Sequence, residues 1–224
     1  MSVQSTMKVF ALLPLLFVAA CAPNAQAPLS ASAIVGTKAI IKYHRDELIA
    51  EVTDVTGKLV TTEFTNWNSE LVFSRTEYRG LVPISGMEPG GGLWELDFDE
   101  NQLEPLFPLQ PGKIVSFKGN FKNIDQGTSY DLWARLEVLG EKTLDLPGGK
   151  RRVMVVEFNR HGKLGNRTKL ATEIIYFDPE YAMTLKKVIR ERGSQSYWRV
   201  ISIDRPGNVS NTPTRQRRSG TVMI

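Results

Sequence analysis

Across 224 residues there is one cysteine and there are two histidines, and those shortages exclude several kinds of chemistry. A single thiol cannot form an intrachain disulfide, so stability in an oxidising compartment must come from a packed core, which a chain of this length can supply. Two imidazoles, His44 and His161, are too few for a His-rich zinc site. No Gly-rich loop ends in Gly-Lys-Ser/Thr, no dinucleotide fingerprint opens a helix after a strand, and there is no Gly-x-Ser-x-Gly elbow. The lysines of Pro111-Gly112-Lys113 and Gly148-Gly149-Lys150 follow glycines and read as turn residues rather than phosphate binders. No metal and no cofactor is expected. Convincing helical period is also missing after the first twenty or so residues, with Lys38 to Ala50 as the one stretch where a helical turn could begin.

Charge of one sign is scarce in the body of the chain. The formal net charge is +4, but Lys8, Arg205, Arg215, Arg217 and Arg218 lie outside the middle of the sequence. Without them the remainder is close to neutral. The basicity therefore sits at the ends and gives no argument for nucleic-acid binding.

What is present is concentrated first in Met7 to Cys21, MKVFALLPLLFVAAC. Lys8 precedes about a dozen apolar residues, Val9 to Ala20, too short for a membrane-spanning helix of ~20 residues but suited to the central segment of a secretory signal. Val18-Ala19-Ala20 stands directly before Cys21. This arrangement resembles the lipobox of bacterial lipoproteins, in which an aliphatic residue and two small ones precede the modified cysteine. The resemblance implies that Cys21 becomes the N-terminus and carries a thioether-linked diacylglycerol and an amide-linked acyl chain. One chain anchors marginally, while two or more hold stably. Position 22 is Ala22 and not aspartate, which in that family favours the outer membrane, facing the periplasm, with the inner membrane as the alternative address.

Four regions follow: a lipoprotein signal peptide at 1–20, a lipidated flexible tether at 21–36, a β domain at 37–204 and a basic disordered tail at 205–224. The tether is rich in Ala, Ser and Pro and uncharged. About fourteen flexible residues span ~20 Å on average and ~50 Å when stretched, so the domain stays near its membrane. The tail has too few apolar residues to fold alone, but its arginines suit a weak contact with anionic head groups, each worth ~1 kcal/mol.

Between them the pattern is short runs of period two, separated by Gly, Asn, Asp or Pro. Glu47–Val55 and Lys58–Thr65 flank Thr56-Gly57 and predict a hairpin. Leu71–Tyr78 is a further strand, and VPISGMEPGGG after it, with Pro83, Pro89 and three successive glycines, predicts a long irregular loop. Val115, Phe117, Gly119 and Phe121 alternate with polar residues, as do Leu132, Ala134, Leu136 and Val138, so the two runs form an antiparallel pair with one covered face. Pro147-Gly148-Gly149 turns the chain. Arg152–Phe158, Leu170–Phe177, Met183–Arg190 and Tyr197–Ile203 complete the set, with Asn159-Arg160-His161-Gly162 reading as a hairpin tip. The expected fold is all-β, a curved antiparallel meander or partial barrel of about 8–10 strands.

Within this frame the candidate ligand or partner contacts are Trp133, which falls on the polar register of its strand, and Phe117 and Phe121 on the apolar face. Packing beneath a loop is the competing role for Trp133. Asp97, Asp99 and Glu100 read as solvated carboxylates, and a Ser-His-Asp arrangement is formally possible with His44 or His161, as it is for most sequences of this size. Pro105 to Lys113, Val138-Leu139-Gly140 and Tyr176-Phe177-Asp178-Pro179-Glu180 resemble uncharacterised periplasmic β-sheet families, which implies an antiparallel sheet and no particular reaction. The functional expectation is a non-enzymatic lipoprotein that binds a hydrophobic ligand or an envelope partner, with its membrane engaged through Cys21. An envelope hydrolase of glycan or ester substrates and a structural subunit of an envelope complex are the alternatives.

Overall fold

A computed structural model describes residues 33–43, 45–164, 167–191 and 193–206. The proposed leader, Cys21, His44 and most of the basic tail lie outside the described residues. Twelve antiparallel strands follow one another around a closed barrel, each hydrogen-bonded to its sequence neighbours and the last to the first. They are β1 (Lys38–Tyr43), β2 (Asp46–Thr56), β3 (Leu59–Thr65), β4 (Leu71–Tyr78), β5 (Val82–Met87) and β6 (Leu93–Asp97). After a 3-10 helix (Glu100–Leu106) come β7 (Ile114–Asn123), β8 (Thr128–Leu146), β9 (Gly149–Leu164), β10 (Arg167–Asp178), β11 (Met183–Glu191) and β12 (Ser194–Asp204). The all-β expectation holds, with more strands than the spacing suggested and with the sheet closed on itself, which removes both edges.

Alternation decides which face each residue takes. In β7, Val115 and Phe117 are buried between exposed Ile114, Ser116 and Lys118. In β8, Leu132, Ala134, Leu136 and Val138 point inward in the same way. The two strands pair Phe117 with Ala134 and Val115 with Leu136, so their inward residues share one surface. The β2–β3 hairpin is confirmed: Thr56 pairs with Leu59 across Gly57 and Lys58, and Gly57 takes a positive φ of 61° that an L side chain resists.

Three local expectations are corrected. The stretch from Lys38 starts with β1 and not a helical turn, because Ala39, Ile41 and Tyr43 can then face the interior together opposite Ala50, Leu48 and Asp46. The Pro83 region is β5 and not irregular loop. Pro83 has no N–H to give, and it sits opposite Glu77, beside the register shift between Thr76 and Glu77, where the ladder is already interrupted. Only the following Glu88–Gly92 is a tight turn, closed by backbone bonds from Glu88 to Gly92 and from Gly91 to Glu88. His161 is not at a hairpin tip. It lies inside β9, between Trp133 of β8 and Leu170 of β10, because the outer part of β9 runs to Leu164 before turning.

The 3-10 helix was not anticipated, since its seven residues are too few to show a period. Asp99 caps it by accepting from the Asn101 N–H, and its Leu103 and Leu106 are completely buried against the β4–β8 side of the core. Glu104 fastens the segment, accepting from the Tyr78 hydroxyl and pairing with Lys58 at 2.9 Å and Arg79 at 3.2 Å. As expected, Asp97, Asp99 and Glu100 are exposed.

Candidate binding cleft

The barrel interior is occupied by side chains, and a layer of charge crosses it. Strand register puts Arg75 and Glu77 of β4, Arg160 of β9, Glu173 of β10 and Lys187 of β11 on the inward face, alongside Phe73, Phe158, Ile175 and Trp198. Glu173 and Lys187 are almost wholly buried and meet at 2.9 Å, and Arg160 donates to the same carboxylate. Burial would raise the Glu173 carboxyl, but Arg160 and Lys187, helped by Arg75, outweigh it and hold the group down to about 2. Glu77 has no such pair. Desolvation raises it, and Lys187 and Arg75 counter that only in part. The cations also lie over rings, Arg75 at 5.3 Å from Phe73 and Lys187 at 6.0 Å from Trp198.

The aromatic residues singled out from the sequence fall in different places. Phe117 is buried between Phe98 and Phe158, with ring centroids at 4.7 and 6.5 Å. Phe121 is half-buried, stacked between Trp94 at 5.7 Å and Tyr130 at 5.0 Å. Trp133 stands on the outer face with 39% of its surface exposed, as its register required. These three are therefore not gathered in one site: Phe117 and Phe121 form part of the packing, and Trp133 faces outward beside His161. Among the described residues no group of three His, Cys, Asp or Glu side chains converges to hold a metal.

One open space that the fold builds lies on the outside. β8 and β9 form a hairpin far longer than its neighbours, and a register shift between Val138 and Gly140 redirects its outer half. That half reaches β12, four places away in barrel order. Its Leu144 and Leu146 pack against the apolar cluster that contains Leu185 and Val200. Arg151 secures it: the guanidinium bonds Asp178 and Glu180, each at 2.8 Å, and lies 4.2 Å from the Tyr181 ring. The Asp178 carboxylate is fully buried, so this pair is shielded from solvent.

Beneath the hairpin tip is a cleft of about 950 Å³. Thr143, Leu144, Asp145, Leu146 and Pro147 overhang it, and its floor is the outer face of β1, β11 and β12, with Lys42, Lys186, Val188, Gln195, Tyr197, Arg199 and Ile201. Tyr197 is 53% exposed there. None of these was picked out from the sequence. Alternation alone puts Lys42, Lys186 and Arg199 on the wet side of three strands. Their convergence depends on β12 closing onto β1, which no local pattern announces.

Among the comparisons, no protein-family model and no curated protein matches the chain. Solved structures with a similar course exist. The hypothetical lipoprotein YmcC of Escherichia coli K12 superposes with a TM-score of 0.51 at 8% identity over 75% of this chain and 85% of that one. A candidate exported protein of Bacteroides fragilis with a YmcC-like fold gives 0.47 at 9% identity, covering 80% of this chain and 100% of its own. A candidate lipoprotein of Parabacteroides distasonis gives 0.45 at 10%, covering 78% and 97%. The class of protein defined here is thus a closed antiparallel barrel with the fold of the Escherichia coli structure.

Proposed function

We propose that the chain is an exported lipoprotein, held by lipid on Cys21 at the outer membrane and facing the periplasm, which binds an envelope component without transforming it. Two things support the anchor: the Val18-Ala19-Ala20-Cys21 sequence, and a fold shared with a protein described as a hypothetical lipoprotein. The observation that carries the binding role is the cleft beneath the β8–β9 hairpin. A long hairpin folded back and fastened by Arg151, yet leaving about 950 Å³ open under its tip, has the size and mixed lining of a ligand site. Leu144, Leu146, Pro147, Val188 and Ile201 give it apolar walls suited to the hydrophobic part of an amphiphile.

Native mass spectrometry of the protein released from envelopes tests this reading. Wild type is expected to carry a bound amphiphile that a Leu146→Asp, Ile201→Asp variant lacks. Identical spectra from the two proteins would remove the cleft as the binding site.

A further inference from the structure

We propose that this cleft takes the headgroup of an anionic phospholipid, a conclusion that rests on the cleft being the binding site. The reason lies in strand register. Lys42 of β1 is directly opposite Arg199 of β12, and Arg199 is directly opposite Lys186 of β11. Three cations thus stand in one row across three adjacent strands, where neighbouring side chains are about 5 Å apart and like charges oppose each other.

Some basic side chains elsewhere on the outer surface are matched: Lys38 with Glu51, Lys122 with Asp97, Arg135 with Glu137 and Arg152 with Glu141. In the row, Lys186 leans over the Tyr176 ring at 4.9 Å. Among the described residues neither Lys42 nor Arg199 has an ion-pair partner. Glu47, opposite Lys42, and Asp145 on the overhanging tip also border the cleft, which leaves it with three cations against two carboxylates. A row with an excess of positive charge is stabilised by an anion placed across it.

The apolar parts of the cleft narrow the choice. A small inorganic anion would engage the row and leave Leu144, Leu146 and Pro147 facing water. A phosphodiester carrying a glycerol and acyl chains covers both, with its phosphate on Arg199 and its flanking cations and its apolar portion against the overhang. Arginine suits the central place because its planar fork donates two parallel bonds to phosphate oxygens.

The mature lipidated protein in neutral detergent, titrated with short-chain phosphatidylglycerol, phosphatidylcholine or inorganic phosphate and read by native mass spectrometry, tests the assignment. Phosphatidylglycerol is expected to occupy the protein at least tenfold more than phosphatidylcholine. The triple variant Lys42→Gln, Lys186→Gln, Arg199→Gln should lose that preference, while Lys38→Gln, four residues before Lys42 on the same face of β1, should keep it. Equal occupancy by both lipids, or an undiminished preference in the triple variant, overturns the headgroup assignment. Full displacement of phosphatidylglycerol by an equal concentration of inorganic phosphate overturns the lipid in favour of free phosphate. If Leu146→Asp, Ile201→Asp still displaces a native amphiphile while phosphatidylglycerol shows no preference, the cleft stands and only the anionic headgroup falls.

Discussion

Glu173 is enclosed by two cations that have no other acidic partner as near, so the carboxylate is what makes their burial tolerable. Replacing it with glutamine leaves Arg160 and Lys187 facing each other in a shielded interior. Glu173→Gln is expected to cost about 3–5 kcal/mol in denaturant unfolding, the range for breaking one side of a buried pair. Its folded carboxyl is held down to about 2, below the ordinary value. The stability it confers is therefore complete above the usual carboxylate range and is lost as the pH falls toward about 2. Wild type should lose unfolding free energy between pH 4.5 and pH 2 more steeply than Glu173→Gln, and parallel curves would contradict the assignment. Glu77 has the opposite sign. Its raised carboxyl contributes fully below the ordinary value, and that contribution is lost as the pH rises through the folded value. Glu77→Gln should accordingly be more stable than wild type at neutral pH, measured by the same denaturant titration. The alternation of Glu173 with Ile175 and Phe177, and of Lys187 with Leu185, already places these charges inward. Nothing local shows that they meet, since Glu173 and Lys187 are brought together by the register of β10 on β11.

The β8–β9 hairpin shows how far an element can be anticipated. Its alternating residues from Asp131 to Val138 and its Pro147-Gly148 turn are plain in the sequence, and both appear as expected. Its backward course is not, because it depends on the register shift at Gly140 and on Arg151 reaching Asp178, 27 positions on. Arg151→Ala should detach the outer half of the hairpin. Hydrogen exchange at residues 143–150 should speed up by at least tenfold, with β10 protection unchanged. At the same end of β10, Gly80 marks a place where two turns touch. It has φ of 68°, and an added Cβ would collide with the backbone carbonyl of Ala182. Gly80→Ala should destabilise by more than the ~1 kcal/mol of an ordinary glycine replacement, read as a lowered denaturation midpoint. β5 is hidden from a local reading for a similar reason: Pro83 and Gly86 oppose a strand locally, but the register shift in β4 admits Pro83, and Gly86 fits because a side chain there would meet the Ser74 carbonyl.

For the molecule as a whole, closure is the decisive event. β1 pairs with β12 from Lys38 opposite Asp204 to Tyr43 opposite Trp198, so the two ends of the described chain complete one wall. Opening that seam would expose two strand edges and remove the floor of the cleft together. The proposed anchor acts at this level too. Cys21→Ser is expected to abolish palmitate labelling and to leave the protein uncleaved or released from the membrane fraction, and equal labelling of the two proteins would discard the anchor.

Composition and period two were enough to establish an all-β domain without disulfides, because side-chain alternation follows from backbone geometry whatever the strands later pair with. They also placed Trp133 on the polar register of its strand, but not whether a loop would cover it. The number of strands, the closed seam, the interior charge layer and the cationic row depended on pairing between residues distant in the chain. Such pairing is selected by the simultaneous burial of many side chains, and no single stretch of sequence contains that sum.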